Sequence, residues 1–181
     1  MFALSVLVIE ERSDLRILGI DPGLAIVGFG FVDKQGNKVT PVQYGSIQTE
    51  AHTPEGERLQ HVYEGMVQLL ERYKPDAVAF EKLFFSRNVT TALPVAQARG
   101  VLVLAAVQRG LPIAEYTPVQ VKQAVVGYGK AEKKQVQEMV KVLLKLSAVP
   151  KPDDVADALA VAVCHAHSVS LNSKLNEVLR K

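Results

Sequence analysis

Three stretches of this sequence place acids where a folded chain would not ordinarily want them. In "LGIDPG" the apolar run Ile17, Leu18, Gly19, Ile20 delivers Asp21 straight into a Pro-Gly turn, and "AVAFEKLFF" runs into Glu81 in the same way. In "PDDVADALAVAV" Asp157 stands among Ala, Leu and Val, with Asp154 three residues before it and Asp153 four before it. On a helix both spacings put the carboxylates on one face.

A buried carboxylate is costly unless something pairs with it. Taken singly, Asp21 and Glu81 read equally as solvated strand ends, and acids in the first turn of a helix complement its dipole and cap its free N–H groups. That reading suits Asp153, assigned near the N-cap. It suits Asp157 least, because Asp157 falls in the second turn of an otherwise apolar helix, and Asp154 and Asp157 are assigned to chemistry. Carboxylates converging from two strand ends and a helix repel one another unless a cation neutralises them. Hard oxygen donors without thiolate or imidazole suit Mg²⁺ or Mn²⁺, and a pair of such ions about 3.5–4 Å apart can activate water and stabilise the leaving oxygen of a phosphodiester. This is the chemistry of a nuclease. His165 and His167, two apart in "CHAH", point to different faces of a helix and read as ordinary helix-end residues.

The elements that must position these acids follow from periodicity and turn chemistry. Residues 15–23, 26–37 and 39–49 read as three strands with short connections, an antiparallel meander in which Pro41 suits an edge. Leu59, Val62, Tyr63, Met66, Leu69, Leu70 and Tyr73 share a helical face, with Thr53 as expected N-cap and Pro54 as first helical residue. Residues 76–83 make a fourth strand and 112–117 a fifth. Between them "TALPVAQARGVLVLAAVQRG" is a helix begun or interrupted near Pro94 and closed by Gly110. A short helix in "PVQVKQAVVG", a basic loop, a helix in "KKQVQEMVKVLLKL" and a final helix ending near Ser168 complete the chain. The pattern predicts an α/β fold: a five-stranded mixed sheet with helices on both faces. If the first and fourth strands lie side by side in parallel, Asp21 and Glu81 end near each other. The expected organisation is an extension over 1–14, one domain over 15–169, and a polar, frayed tail over 170–181.

Length and composition set the outer limits. The 181 residues suffice for one domain, and 48% hydrophobic with 22% charged residues excludes a disordered or fibrous chain. A formal net charge of +2 does not by itself announce a nucleic-acid partner. The single cysteine, Cys164, excludes an internal disulfide and fits a reducing cytosol. The apolar start is too short to span a bilayer and is followed by acids, which predicts a cytoplasmic protein with no membrane partner.

The ordered set "GIDPG", "FEKLFFSRN", "QARG", "VKQAVVGYGKAEKKQVQ" and "DDVADALAVAVCHAH" resembles the RuvC family of bacterial Holliday-junction resolvases, collinearly from about Leu15 to about Ser168. The resemblance implies a ribonuclease-H-like fold, a homodimer acting on four-way DNA junctions, and a metal site of four acids: Asp21, Glu81, Asp154 and Asp157. Its D-x-x-D spacing selects Asp154 over Asp153, which helical geometry leaves open. It implies two Mg²⁺ ions per subunit, with Mn²⁺ an alternative, and the RuvA–RuvB branch-migration complex as a further partner. Lys122 and Lys133 match the family's active-site lysines. Lys130 and Lys134, clustered with Lys133 around the glycine-containing loop, are expected on DNA phosphates. Phe84 matches an aromatic that stacks on an unpaired base, with Arg87 and Asn88 following in a polar, DNA-facing loop.

Three other readings compete for the same residues. An actin-like phosphotransferase would use the Asp21 turn to hold Mg-ATP, but needs a second phosphate loop and a duplicated domain, and this sequence offers neither. A non-catalytic junction binder would have no need of all four acids, and an RNA-processing relative is separated only by comparing substrates.

Overall fold

The computed structural model describes residues 14–82 and 89–179. The expected extension therefore lies, apart from Asp14, outside the described residues. The elements run β1 (Leu15–Asp21), β2 (Ile26–Gln35), β3 (Lys38–Gln48), α1 (Glu55–Tyr73), β4 (Ala77–Glu81), α2 (Val89–Val107), β5 (Ile113–Tyr116), α3 (Pro118–Val126), α4 (Lys133–Leu143) and α5 (Asp153–Leu179). They form one five-stranded sheet in the order β3-β2-β1-β4-β5. β1 pairs antiparallel with β2 and parallel with β4, as the placement of Asp21 and Glu81 requires.

β1 and β4 are buried on both faces, which is why they read as continuous apolar runs. Side-chain alternation divides them between two cores. Leu18, Ile20, Val78 and Phe80 face α1 and α2, where Val62, Met66, Leu70 and Leu102 cover them. Ile17 and Ala79 face the other way, onto α3, α4 and α5. By the same period of two, Asp21 and Glu81 fall on the α5 side. Pro41 lies on the edge strand β3, beside an irregularity in its pairing with β2 at Phe31 and Val32.

Three local expectations are corrected. α1 begins at Glu55 with Pro54, not Thr53, as N-cap; Pro54 is extended, at φ −52° and ψ 141°, and its carbonyl accepts the first helical bond, from Arg58 N–H. α2 runs through Pro94 from Val89 without interruption; at the sixth helical position the proline forfeits the bond to the carbonyl four residues before it, a loss the apolar helix tolerates where it packs on the sheet. α5 continues past Ser168 to Leu179, because no glycine or proline interrupts the chain beyond Asp154.

The seat of α5 is the feature that positions the site. A Cβ at Gly19 would lie 2.1 Å from the Ala158 carbonyl oxygen, one at Gly28 2.0 Å from that of Asp154, and one at Gly30 2.5 Å from Leu159 Cδ2. Glycines on β1 and β2 thus let the helix backbone lie directly on the sheet, and Ala158 and Ala162 keep the helix side equally thin.

Candidate active site

At the carboxyl ends of β1 and β4, Ile20 pairs with Phe80, so Asp21 and Glu81 leave the sheet as neighbours. Such strand ends are where α/β folds build sites. α5 starts above them, with Asp153 and Asp154 in its first turn and Asp157 one turn on. Asp21 is pushed up from its ordinary 3.8 to about 8, first by burial and then by repulsion from Asp157, Asp154 and Glu81, with Lys133 pulling it back. Burial and Asp157 also raise Glu81, against Lys122 and Lys133. Asp157 is raised by burial, against its hydrogen bond from Lys133.

The lysines stand at the rim. Lys133 Nζ donates to Asp157 Oδ2 at 2.8 Å and lies 3.7 Å from Asp153 Oδ2. Burial works against the ammonium charge, but the bond to Asp157 and the charges of Asp157, Asp153 and Asp21 raise Lys133 overall. It is the first residue of α4, whose start is fixed by a capping box between Glu132 and Gln135. A cation at that end opposes the helix dipole, at a cost of about 0.3–1 kcal/mol; the carboxylates facing Lys133 offset it. Glu81, Lys122, Lys133 and Asp157 line one cavity of about 250 Å³, floored by Val121, Val136 and Ala160. Lys130, in the loop before α4, and Lys134, in its first turn, are exposed and do not line it. Phe84, Arg87 and Asn88 lie outside the described residues.

Asp153 begins α5, and its carboxylate is engaged by lysines. It pairs with Lys151 at 2.8 Å as well as facing Lys133, and the hydrogen bond from Lys151 holds it below the usual carboxylate range. His165 Nδ1 bonds Tyr116 Oη at 2.8 Å and His167 Nδ1 lies 3.1 Å from the Ala124 carbonyl, so both are packing residues with internal partners. Sequence reasoning missed the glycines under α5 and the Asp153–Lys133 contact. The spacing Gly19, Gly28, Gly30 against the small residues Ala158 and Ala162 was the available signal for the first.

Among the described residues, no three Asp, Glu, His or Cys side chains converge tightly enough to grip one ion as they stand. The donor set nevertheless fits a divalent cation. All four carboxylates are hard oxygen donors, three of them repel Asp21, and the positive charge in contact with Asp157 is a lysine.

This sheet order, with acids at the ends of β1 and β4 and on α5, defines a ribonuclease-H-like nuclease fold. Residues 17–165 match the family described as crossover junction endodeoxyribonuclease RuvC, and the chain belongs to that family of nucleases. A relative of that name from Brevibacillus brevis is 66% identical over 152 residues, covering 84% of this chain and 92% of the relative. Another, from Desulfitobacterium hafniense, is 56% identical over 91% of this chain and all of its own length. Thermus thermophilus RuvC solved in complex with a Holliday junction substrate is 36% identical, with a TM-score of 0.83 over 87% of this chain and 96% of its own. Among the described residues no helix is long and apolar enough to cross a membrane.

Proposed function

We propose that this chain resolves four-way (Holliday) DNA junctions in recombination and repair by paired, symmetric nicks that leave 5′-phosphate and 3′-hydroxyl ends. The observation that carries this reading is the set of four carboxylates at the head of β1, β4 and α5 with Lys122 and Lys133 at its rim. Membership of the RuvC family and the likeness to a relative solved on a junction support the substrate. Asp21, Glu81, Asp154 and Asp157 would hold divalent cations, Mg²⁺ or Mn²⁺, two per subunit. When bound, such ions activate water and stabilise the departing 3′ oxygen. Lys133 and Lys122 hold the scissile phosphate by its non-bridging oxygens and direct it over the acids. Lys130 and Lys134 take flanking phosphates, and Phe84, Arg87 and Asn88 engage bases and backbone where the strands part.

The deciding experiment incubates the protein with a synthetic four-way junction, a linear duplex and an RNA–DNA hybrid, with Mg²⁺, with Mn²⁺ and with neither. Symmetric metal-dependent nicking of the junction alone is expected; preferential cutting of the hybrid would replace the reading with an RNA-processing one.

Two nicks require two sites, and the exposed face of α2 supports a homodimer. Leu93, Leu104 and Val107 are 60%, 49% and 57% exposed. With Gln97 and Gly100 they recur at alternating steps of four and three, the spacing of a helix–helix seam. Leu104→Glu is expected to give a monomer by light scattering that no longer makes paired nicks. A variant that stays dimeric places the interface elsewhere. The same dimer is the form to test for association with a RuvA–RuvB complex.

A further inference from the structure

Lys133 is shared between two carboxylates of unequal standing. Asp157, one of the four acids, holds its ammonium at 2.8 Å; Asp153, outside that set, waits at 3.7 Å. A cation that takes Oδ2 of Asp157 displaces this lysine, because one carboxylate oxygen cannot face both charges at contact distance without strong repulsion. A displaced ammonium needs a partner, and Asp153 is built to be one. Lys151 donates to its Oδ1, leaving Oδ2 toward Lys133. Gln137, one turn beyond Lys133 on α4, is buried and adds a side-chain hydrogen bond that helps keep Asp153 ionised.

We propose that Asp153 is a positioning residue: it receives the Lys133 ammonium when a divalent cation claims Asp157, and so keeps the lysine at the mouth of the site. The inference rests on the nuclease reading above and deepens it. Lys133 then acts as a resident counter-charge that competes with the cation, and Asp153 eases the exchange. Loss of Asp153 leaves Lys133 on Asp157 and weakens cation binding through the lysine. Loss of Lys133 removes the competitor and strengthens it.

The test is a double-substitution cycle read by Mn²⁺ affinity, measured by electron paramagnetic resonance on full-length protein without DNA. Asp153→Asn is expected to weaken Mn²⁺ binding about three- to ten-fold in the Lys133 background and less than about two-fold beside Lys133→Met, a coupling of the size neighbouring groups show. Asp153→Glu is expected to restore the affinity. On junction DNA, Asp153→Asn should lower kcat more than it raises KM, since it misplaces a lysine needed at the reacting phosphate. An equal loss of Mn²⁺ affinity in both backgrounds would mean that Asp153 acts on the ion directly, by charge alone, and would overturn the proposal, as would no loss in either. Those results leave the nuclease reading intact if the unsubstituted protein binds Mn²⁺ and nicks junctions. Failure of the unsubstituted protein on both counts would remove the reading and the inference together.

Discussion

Replacing Asp21 with Asn is expected to do two opposite things: to reduce junction nicking by about a thousandfold or more, and to stabilise the cation-free protein. The first follows from position. Asp21 is the carboxylate repelled by all three of the others, so a cation placed to relieve that repulsion must lie against it. The second follows from linkage. Folding raises this carboxyl from 3.8 to about 8. Below about pH 4 both folded and unfolded chains carry the proton, and Asp21 contributes nothing. Between pH 4 and 8 the unfolded chain releases a proton that the folded chain keeps, so stability falls as pH rises; above 8 both are ionised and the full penalty stands. The amide escapes it. In EDTA at pH 8, Asp21→Asn should therefore be more stable than the parent by a few kcal/mol, and the difference should shrink toward zero near pH 4. Glu81 and Asp157, both raised, keep some slope in the variant. Mg²⁺ should raise the Tm of the parent and much less that of the variant. Melting curves in EDTA and in Mg²⁺ at the two pH values check this, and a stability difference that ignores pH would contradict the account. Junction binding in gel-shift assays should persist, because the lysines proposed to contact DNA are untouched.

Gly28→Ala is expected to damage the site without altering any acid. Its Cβ would sit 2.0 Å from the Asp154 carbonyl oxygen and 2.3 Å from its carbon. These are backbone atoms on a helix, and no rotamer change clears them. Either β2 or α5 must shift, at a cost of about 1–3 kcal/mol for overpacking. Because the displaced residue is Asp154 itself, nicking should fall by about a hundredfold, the size of effect an ångström of misplacement can have. Gly56→Ala is the control: nothing lies within 4 Å of its Cβ, and in the first turn of α1 the change should be neutral or slightly stabilising. Chemical denaturation and junction-nicking rates on both variants decide it. Normal stability and rate in Gly28→Ala would mean that α5 does not bear on β2 there.

Much of this was written in the chain. Apolar runs that end on Asp21 and Glu81, a helix that sets Asp157 amid alanines, and a meander followed by alternating helices and strands specified a five-stranded mixed sheet and the acids at its strand ends, with the parallel pairing of β1 and β4 left conditional until the fold decided it. Local rules suffice for these because strand alternation and helical spacing act over a few residues. The end of α5, the cap of α1 and the course of α2 through Pro94 were read less well, since helix boundaries turn on single carbonyls and on the absence of a stop.

Tertiary structure alone decided the rest. That Gly19, Gly28 and Gly30 serve to admit a helix backbone depends on α5, more than 100 residues later, coming to lie on them. That Lys133 rests on Asp157 and faces Asp153 depends on the angle at which α4 meets α5. Both are contacts between elements distant in sequence, set by how closely two surfaces approach. Spacing along a chain names the residues that can share a face; only packing decides which face they meet.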